Sequence, residues 1–398
     1  MTLTRGRHFL QIPGPTNVPD RVLRALAQPT IDHRSQAFAA LTREALDGVR
    51  RLFKTSAHAV IYPASGSGGW EAAFVNTLSP GDRVLIPETG HFSAQWREVA
   101  LRLGLDAHVI PGDWRHGADL TAIEERLLAD RERRIKAVAV VHNETSTGTT
   151  SRIADVRRRL DEANHPALLL VDTVSSLACM DYRHDEWGVD VSIAASQKGL
   201  MLPPGLGLLA ISDKALAAGA SAGMPRSYWD WRPMIADNRG GFFPTTPATN
   251  MLFALVEAIR MLEEEGLPNV FARHQRFAEA TRRAVRAWGL DLVCLDRQAY
   301  SSSVTAVVMP NGHNADHFRK ATLDAFDMSL GAGLGKLKGT TFRIGHLGDF
   351  NDLMLAGTLS GVEMGLALAD VPFTRGGITA ALEYLAPSVA SPAVQSKI

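Results

Sequence analysis

The stretch 194-AASQKGLMLPPGLGLLA-210 gives the first indication of the fold. Two runs of small and apolar residues predict two neighbouring strands, joined by a loop that contains Lys198 and a Pro-Pro-Gly turn. Lysine normally lies on a solvated surface, and the chain has eight lysines among its 42 Lys and Arg residues. A lysine that closely follows a buried strand is therefore a candidate for chemistry, although a surface lysine on a loop is the ordinary alternative.

Short apolar runs alternate with amphipathic segments on both sides of this stretch. Strands are predicted over 57–62, 83–86, 106–110, 135–141, 167–171, 191–195 and 207–211, and helices over 70–78, 93–103, 120–128 and 153–163. Near-continuous apolar strands separated by helices are typical of a mostly parallel sheet that is covered on both faces. We therefore predict an α/β fold with a mostly parallel seven-stranded sheet.

The pattern changes in the last third of the chain. Long helical segments are predicted over 249–265 and 270–288, followed by strands at 303–309 and 340–344 and helices at 315–325 and 353–368. Mixed strands and helices predict a smaller C-terminal α+β domain. The predicted organisation is an extended N-terminal arm over 1–20, a large domain over 21–260 and a small domain over 261–398.

Composition limits the partners of the chain. The 398 residues carry a formal net charge of zero, which argues against nucleic acid or an anionic membrane as the main partner. Apolar runs stay shorter than the roughly 20 residues that a membrane span needs. Cys179 and Cys294 are far apart in the sequence, which favours a reducing, cytoplasmic location. The last three residues, Ser-Lys-Ile, differ by one residue from a peroxisomal signal and make that compartment the alternative.

Two further features accompany Lys198. In 64-ASGSGGWEAA-73, a predicted strand leads into a predicted helix, so backbone N–H groups at Ser67, Gly68 and Gly69 are candidates for binding a phosphate. Asp172 ends the apolar run 168-LLLVD-172, at the sheet edge where open α/β folds hold ligands. The alternatives are a tight turn that binds nothing and an Asp that caps a helix or forms a structural ion pair.

The three features together fit one ligand. An anion cradle, a carboxylate and a desolvated lysine suit a phosphorylated pyridine aldehyde, pyridoxal 5′-phosphate. The phosphate would lie at residues 67–69, the ring nitrogen at Asp172 and the aldehyde at Lys198. Burial lowers the pKa of a lysine and so supplies the neutral amine that a Schiff base needs.

A longer series of motifs points to a known family. They are 12-IPGPTNVP-19, 32-DHRS-35, 76-NTLSPGDRVL-85, 142-HNETSTG-148, 165-HPALLLVD-172, 183-RHDEWGVD-190, 196-SQKGLMLPPGLG-207 and 342-FRIGHLGD-349. In these motifs the chain resembles the class V aminotransferases of fold type I, and within them the serine–glyoxylate and alanine–glyoxylate aminotransferases. The resemblance covers nearly the whole chain and implies pyridoxal 5′-phosphate as the cofactor.

The resemblance implies a role for each matching residue around the cofactor. Lys198 would hold the cofactor as a Schiff base, and Asp172 would pair with the pyridine nitrogen. Phe92 would stack on the ring, with ordinary core packing as the alternative. Thr145 and Gln197 would lie near the ring hydroxyl and the phosphate.

Two further roles concern the substrate and a partner subunit. Arg343 would bind the substrate α-carboxylate, which a planar guanidinium contacts with two parallel hydrogen bonds. The segment 242-FFPTTPAT-249 would reach the cofactor phosphate of a second subunit through Thr246, so a homodimer is implied. Relatives often have tyrosine where this chain has Thr245. No metal ligand is predicted.

The predicted activity is transamination from L-serine to glyoxylate, giving hydroxypyruvate and glycine by a ping-pong mechanism. Alanine or aspartate as the amino donor is the first alternative. A sulfur-transferring reaction is the second, and it would need a mobile nucleophilic cysteine that neither Cys179 nor Cys294 matches. A non-catalytic protein that binds the cofactor is the third, and the joint presence of Lys198, Asp172 and Arg343 argues against it.

Overall fold

A computed structural model of the chain describes residues 6–386. Its helices are α1 (Asp20–Leu26), α2 (Gln36–Phe53), α3 (Gly66–Thr77), α4 (His91–Arg102), α5 (Leu120–Ala129), α6 (Ile153–Glu162), α7 (Asp213–Ala218), α8 (Trp231–Gly240), α9 (Thr249–Glu265), α10 (Leu267–Ala287), α11 (Ala315–Phe326), α12 (Asp352–Leu368) and α13 (Gly377–Leu385). Its strands are β1 (Phe9–Gln11), β2 (His58–Ala64), β3 (Arg83–Pro87), β4 (Asp106–Ile110), β5 (Ile135–Val141), β6 (Asn143–Glu144), β7 (Thr149–Thr150), β8 (Leu168–Asp172), β9 (Val191–Ala195), β10 (Gly205–Ile211), β11 (Asp291–Leu292), β12 (Val304–Val308), β13 (Met328–Ala332) and β14 (Thr341–Gly345).

The large sheet has seven strands in the order β2-β10-β9-β8-β5-β3-β4. Strand β10 is antiparallel to both of its neighbours, whereas the pairs from β9 to β4 are parallel. The predicted α/β fold with a mostly parallel seven-stranded sheet is confirmed. Helices α2 and α8 were not predicted, and neither were the short helices α1, α7 and α13.

Side chains on alternate positions of the strands face two separate cores. On β2, Ile61 packs with helices α2 and α9 on one face of the sheet, and Val60 packs with α3 and α4 on the other. On β10, Leu208 and Leu209 divide in the same way. A strand that is buried on both faces has no polar side, which explains the continuous apolar runs in the sequence.

Six strands bring their carboxyl ends to one edge of the sheet. Strands β3, β4, β5, β8 and β9 are mutually parallel, and β2 runs in the same direction because it is separated from β9 by the antiparallel β10. The ends of these strands, and the loops and first helical turns that follow them, contain all the predicted cofactor residues except Thr246. The fold therefore gathers residues from positions 65 to 198 of the chain at one place.

The small domain is built on a five-stranded sheet in the order β1-β13-β14-β12-β11. Arg343 lies in the middle of β14, opposite Ala306 on β12 and Gly331 on β13. The predicted extended arm forms β1, which pairs in parallel with β13. Strand β13 has the glycine-containing sequence MSLGA and was not predicted.

The boundary that the sequence places at residue 260 falls inside helix α9. Leu262 and Val270 pack with the large-domain core, whereas Phe277 packs with the small-domain core. The domain limits stay a prediction, and this packing favours a division within α10. Within residues 6–386, no helix is long and apolar enough to cross a membrane. The Ser-Lys-Ile ending lies outside the described residues.

Candidate active site

A cavity of about 130 Å³ lies at the edge of the large sheet that is formed by the carboxyl ends of the parallel strands. It is lined by Ser65, Gly66, Ser67, Trp70, Phe92, Val141, Asn143, Thr145, Asp172, Val174, Gln197 and Lys198. Six of the ten predicted site residues are in this lining, namely Ser67, Phe92, Thr145, Asp172, Gln197 and Lys198. The four predicted residues outside the lining are Gly68, Gly69, Thr246 and the substrate residue Arg343.

Lys198 is buried, with 8% of its surface exposed. Its Nζ donates a hydrogen bond of 2.6 Å to the carbonyl of Pro13 in the N-terminal arm. A Cβ on Gly14 would lie 2.4 Å from the Lys198 side chain and would displace it, and the φ of +105° at Gly14 favours glycine there as well. Burial, reinforced by the charge of Arg343, lowers the pKa of Lys198 to about 8. A fraction of the amine is therefore neutral and nucleophilic near neutral pH.

Asp172 is buried at the end of β8, with 4% of its surface exposed. The backbone N–H of Val174 donates to Oδ1 at 2.7 Å, and the indole N–H of Trp70 donates to Oδ2 at 2.8 Å. Burial raises the pKa of Asp172 to about 7, although both hydrogen bonds oppose the rise. A cationic ligand group in the cavity would relieve this cost of burial.

The glycine-rich turn contacts the cavity two residues earlier than the sequence predicts. Ser65 is the N-cap of helix α3, and Ser65, Gly66 and Ser67 line the cavity. Gly68 and Gly69 lie further into the helix, where a Cβ would meet Trp229 and Ile193 respectively. The end of β2 at Ala64 explains the shift, because free N–H groups belong to the first turn of a helix. The N–H of Gly69 is the first that bonds within the helix, to the Ser65 carbonyl, so the N–H of Gly68 stays free, and the predicted roles of both glycines at the phosphate stay predictions.

Phe92 lines the cavity from the first turn of helix α4. Its position is fixed by Glu144, a buried carboxylate that accepts hydrogen bonds from the backbone N–H groups of Phe92 and Ser93 at 3.1 Å each. Gly90 precedes this helix, and a Cβ there would lie 2.4 Å from Glu144. Glu144 thus serves as the helix cap that Gly90 lacks. Sequence reasoning missed this residue, although it lies inside the motif 142-HNETSTG-148.

Asn143 and Thr145 line one wall of the cavity, and Gln197 lines it from the loop after β9. The Thr145 hydroxyl donates to Ser175 Oγ at 2.6 Å, and Asn143 Nδ2 donates to the same oxygen at 2.8 Å. The Asn143 Oδ1 and Gln197 Oε1 atoms are buried with no hydrogen-bond partner among the described residues. Such oxygens need a donor, and the cavity is where a ligand would provide one. Asn143 was not predicted from the sequence.

Arg343 lies beside the cavity rather than in its lining. It donates from Nε to the carbonyl of Ala332 at 2.7 Å and from Nη1 to the carbonyl of Thr145 at 2.9 Å. Burial lowers its pKa to about 10, against the favourable charge of Glu144. The guanidinium is thus held by the small domain and by the wall that carries Thr145.

Thr246 is exposed on the loop between α8 and α9 and does not line the cavity of its own chain. This position is compatible with the predicted contact to a second subunit, but that role stays a prediction. In residues 6–386, no group of three or more His, Cys, Asp and Glu side chains is arranged to hold a metal ion.

Comparison with known proteins identifies the family. Residues 8–333 match the family described as Aminotransferase class-V. The chain belongs to this family. The resemblance drawn from its motifs is confirmed, and the protein is an aminotransferase that uses pyridoxal phosphate.

Relatives of this class V aminotransferase cover nearly its whole length. It is 47% identical to a serine–glyoxylate aminotransferase of Methylorubrum extorquens, over 97% of this chain and 98% of the relative. It is 44% identical to an L-aspartate–glyoxylate aminotransferase of Paracoccus denitrificans, over 96% of each chain. The crystal structure of a ureidoglycine–glyoxylate aminotransferase from Bacillus subtilis superposes with a TM-score of 0.88, at 28% identity, over 97% of this chain and 100% of that one.

The residues of the aminotransferase cavity fit pyridoxal phosphate. The free N–H groups at the start of α3 suit the phosphate, and the buried Asp172 suits a protonated ring nitrogen. The unpartnered oxygen of Asn143 suits a ring hydroxyl, which can donate to it. Lys198 is the buried amine in the cavity lining that can bond to the aldehyde.

Proposed function

We propose that this aminotransferase moves the amino group of L-serine to glyoxylate, giving hydroxypyruvate and glycine. The observation that carries the chemistry is the placement of Lys198 and Asp172 in one buried cavity. The donor is inferred from the 47% identity to a serine–glyoxylate aminotransferase over nearly the full length of both chains. The acceptor follows from the same comparison, because the relatives that act with serine and with aspartate both use glyoxylate.

Lys198 acts as the base that moves the substrate proton. Its Nζ, with a pKa lowered to about 8, takes the proton from the substrate Cα and would deliver it to the cofactor carbon that carries the amino nitrogen, so that the nitrogen stays with the cofactor. Pyridoxal phosphate, when bound, supplies the electron-poor ring that accepts the electron pair left by this proton. Asp172 keeps the charge on the ring nitrogen because a buried carboxylate favours an adjacent cation. The two half-reactions share one site, so ping-pong kinetics are expected.

Arg343 binds the α-carboxylate of each substrate. Its Nε and Nη1 are already held by two backbone carbonyls, so the guanidinium is oriented before the substrate arrives. Phe92 packs against the cofactor ring, while Thr145, Gln197 and the turn at Ser67 complete the cofactor contacts. Because these walls come from both domains, small shifts between the domains would change substrate binding.

The proposal includes a homodimer. Thr246 of the partner subunit would reach the cofactor phosphate, which explains why this exposed residue lies outside the cavity of its own chain. We place the enzyme in the cytoplasm, in keeping with two free, buried cysteines. A peroxisomal location through Ser-Lys-Ile stays the alternative. The arm over 1–20, the large domain over 21–260 and the small domain over 261–398 stay the proposed organisation.

L-Aspartate is the second candidate donor. The supporting observation is the 44% identity to an L-aspartate–glyoxylate aminotransferase, a value close to that of the serine enzyme. Alanine is a third donor to test. A sulfur-transfer reaction finds no support among the described residues, because Cys179 and Cys294 are both buried. Burial raises the pKa of the Cys179 thiol to about 12, so its thiolate is scarce near neutral pH.

Half-reactions followed by visible absorbance test the proposal. The purified enzyme should lose its cofactor colour on addition of L-serine and regain it on addition of glyoxylate. Lys198→Ala should abolish this cycle, whereas Lys136→Ala, which changes an exposed lysine, should leave it intact. Comparison of kcat/KM for serine, aspartate and alanine identifies the donor. A higher value for aspartate would replace serine in the proposal, and colour cycling in Lys198→Ala would overturn the lysine assignment.

A further inference from the structure

Trp70 is a residue of helix α3 whose indole contacts Asp172, at the edge of the sheet that forms the cavity. It lies in α3, is 3% exposed and lines the cavity. Its Nε1–H donates to Asp172 Oδ2 at 2.8 Å, 102 positions away in the sequence. A buried indole N–H normally finds an acceptor, but here the acceptor is the carboxylate assigned to the cofactor ring nitrogen.

The two donors on Asp172 hold its carboxylate in one orientation. The terminal torsion of an aspartate side chain is broad, so one hydrogen bond to the backbone of Val174 would leave the group free to rotate. Trp70 supplies the second attachment, on the other oxygen. Both donors lack acceptor capacity, so they also favour the ionised carboxylate. Each oxygen keeps a second lone pair, which is available to a ligand.

Trp70 is itself held rigidly. Its ring stacks on Trp96 with centroids 5.8 Å apart and planes 19° apart, and Trp96 stacks on Phe74 at 5.6 Å. All three rings belong to the core between the sheet and helices α3 and α4. A donor fixed by such packing cannot move away when Asp172 turns. The stack therefore sets the orientation of the carboxylate.

We propose that Trp70 is a positioning residue for cofactor binding, which orients Asp172 toward the cofactor ring nitrogen and holds it in its ionised form. The proposal rests on the proposed function, since it assumes that Asp172 pairs with that nitrogen. Trp70 itself needs no contact with the substrate or with the reacting atoms. Its loss should weaken cofactor binding and change the pH dependence of the cofactor absorbance.

Trp96 offers a matched control. It is a buried tryptophan in the same stack, but its Nε1–H has no hydrogen-bond partner among residues 6–386. Trp70→Phe and Trp96→Phe both replace a buried indole with a phenyl ring, so they remove similar core volume. Only the first removes a hydrogen bond to Asp172. The difference between the two variants therefore reports the hydrogen bond.

The experiment measures the cofactor dissociation constant of each purified enzyme, together with the pH dependence of its bound-cofactor absorbance. Trp70→Phe should bind the cofactor roughly 10- to 100-fold more weakly, as expected for a lost hydrogen bond to a charged group, and Trp96→Phe within about threefold of wild type. Trp70→His, which keeps a ring N–H, should recover part of the affinity. In an Asp172→Asn background, Trp70→Phe should have less than about a threefold effect.

Equal affinities of Trp70→Phe and Trp96→Phe would overturn the role of Trp70 while leaving the proposed function in place. A full Trp70→Phe effect in the Asp172→Asn background would also overturn it, because Trp70 would then act without Asp172. If Asp172→Asn alone binds the cofactor as wild type does, the proposed role of Asp172 fails instead. The two failures are thus distinguishable.

Discussion

Asp172 lines the cavity and Glu144 caps the helix that carries Phe92, and the surroundings of these two buried carboxylates differ. Glu144 accepts hydrogen bonds from four groups, namely the backbone N–H groups of Phe92, Ser93 and Ser146 and the Ser146 hydroxyl. Asp172 accepts two, from Trp70 and from the backbone of Val174. Burial raises the pKa of both carboxyl groups.

The difference separates a structural carboxylate from a functional one. The protein itself satisfies the oxygens of Glu144, which holds together the start of α4 and the turn at 144–148. Asp172 faces the cavity with acceptor capacity to spare. Burial alone therefore does not mark a binding residue in this fold. The balance between donors and acceptors does.

The largest expected effect comes from removing Glu144. In Glu144→Ala, the N–H groups of Phe92, Ser93 and Ser146 lose their acceptor inside the protein. At about 1–3 kcal/mol for each unsatisfied group, the loss approaches a typical total stability of about 5–15 kcal/mol. We expect urea denaturation to show a variant that is barely folded at 25 °C. Glu144→Gln keeps one acceptor oxygen and should recover part of the stability, and a wild-type midpoint for Glu144→Ala would contradict the structural role.

The second effect is a dependence of stability on pH in the cofactor-free enzyme. The folded state holds the Asp172 proton more tightly than the unfolded chain, so the free energy of unfolding falls as pH rises from 3.8 to about 7. The shift of about three pKa units corresponds to about 4 kcal/mol. The charges of Glu144 and Lys198 act on the same carboxyl group in opposite directions.

Asp172→Asn isolates this contribution. The difference in unfolding free energy between wild type and the variant should grow in favour of the variant from pH 5 to pH 8, as measured by urea titration without cofactor. Added pyridoxal phosphate should remove most of that difference in wild type, because the ring nitrogen provides the missing cation. If the difference in unfolding free energy did not depend on pH, the protein itself would already offset the cost of burying the charged Asp172 carboxylate.

The third effect concerns activity. Asp172→Asn should lower kcat by at least about 100-fold, or about 3 kcal/mol, because the ring nitrogen loses the charge that stabilises it during proton removal. The folded state should remain intact, as shown by thermal melts of the same preparations. We expect the opposite for Glu144→Gln. Its free energy of unfolding should fall, whereas the kcat of the molecules that remain folded should change little. Similar kcat losses in both variants would break the distinction between the two carboxylates.

The sequence predicted the large sheet and the ends of its strands because buried parallel strands leave continuous apolar runs. It predicted Lys198 and Asp172 because each follows such a run, at the edge where the loops converge. It missed β13, since MSLGA has few of the branched and aromatic side chains that mark a strand. It placed the start of α3 at Trp70, four residues later than the structure does, because a glycine-rich run does not show where a helix begins.

The residues that sequence could not assign act through contacts between distant segments. Glu144 caps a helix that begins 53 positions earlier in the chain, at His91. Trp70 donates a hydrogen bond to Asp172, which lies 102 positions later. Neither partner is visible in local pattern or spacing. Trp70 has the same appearance in sequence as Trp96, yet only the structure shows which indole has an acceptor. Hydrogen-bond partners, rather than residue types, distinguish the two.

The smallest predicted effect concerns the contribution of one donor, the Ser146 hydroxyl, to the hydrogen bonds of Glu144. The Ser146 hydroxyl donates to Glu144 Oε1 at 2.6 Å and accepts the N–H of His91 at 2.9 Å. Ser146→Ala removes both hydrogen bonds but leaves three backbone donors on the carboxylate, so we expect a loss of about 1–2 kcal/mol in urea denaturation. Cofactor affinity should stay within about twofold, since Asp172 is untouched. In a Glu144→Gln background the same change should cost less, because part of the interaction is already gone, and an additive cost would show that Ser146 stabilises α4 independently of Glu144.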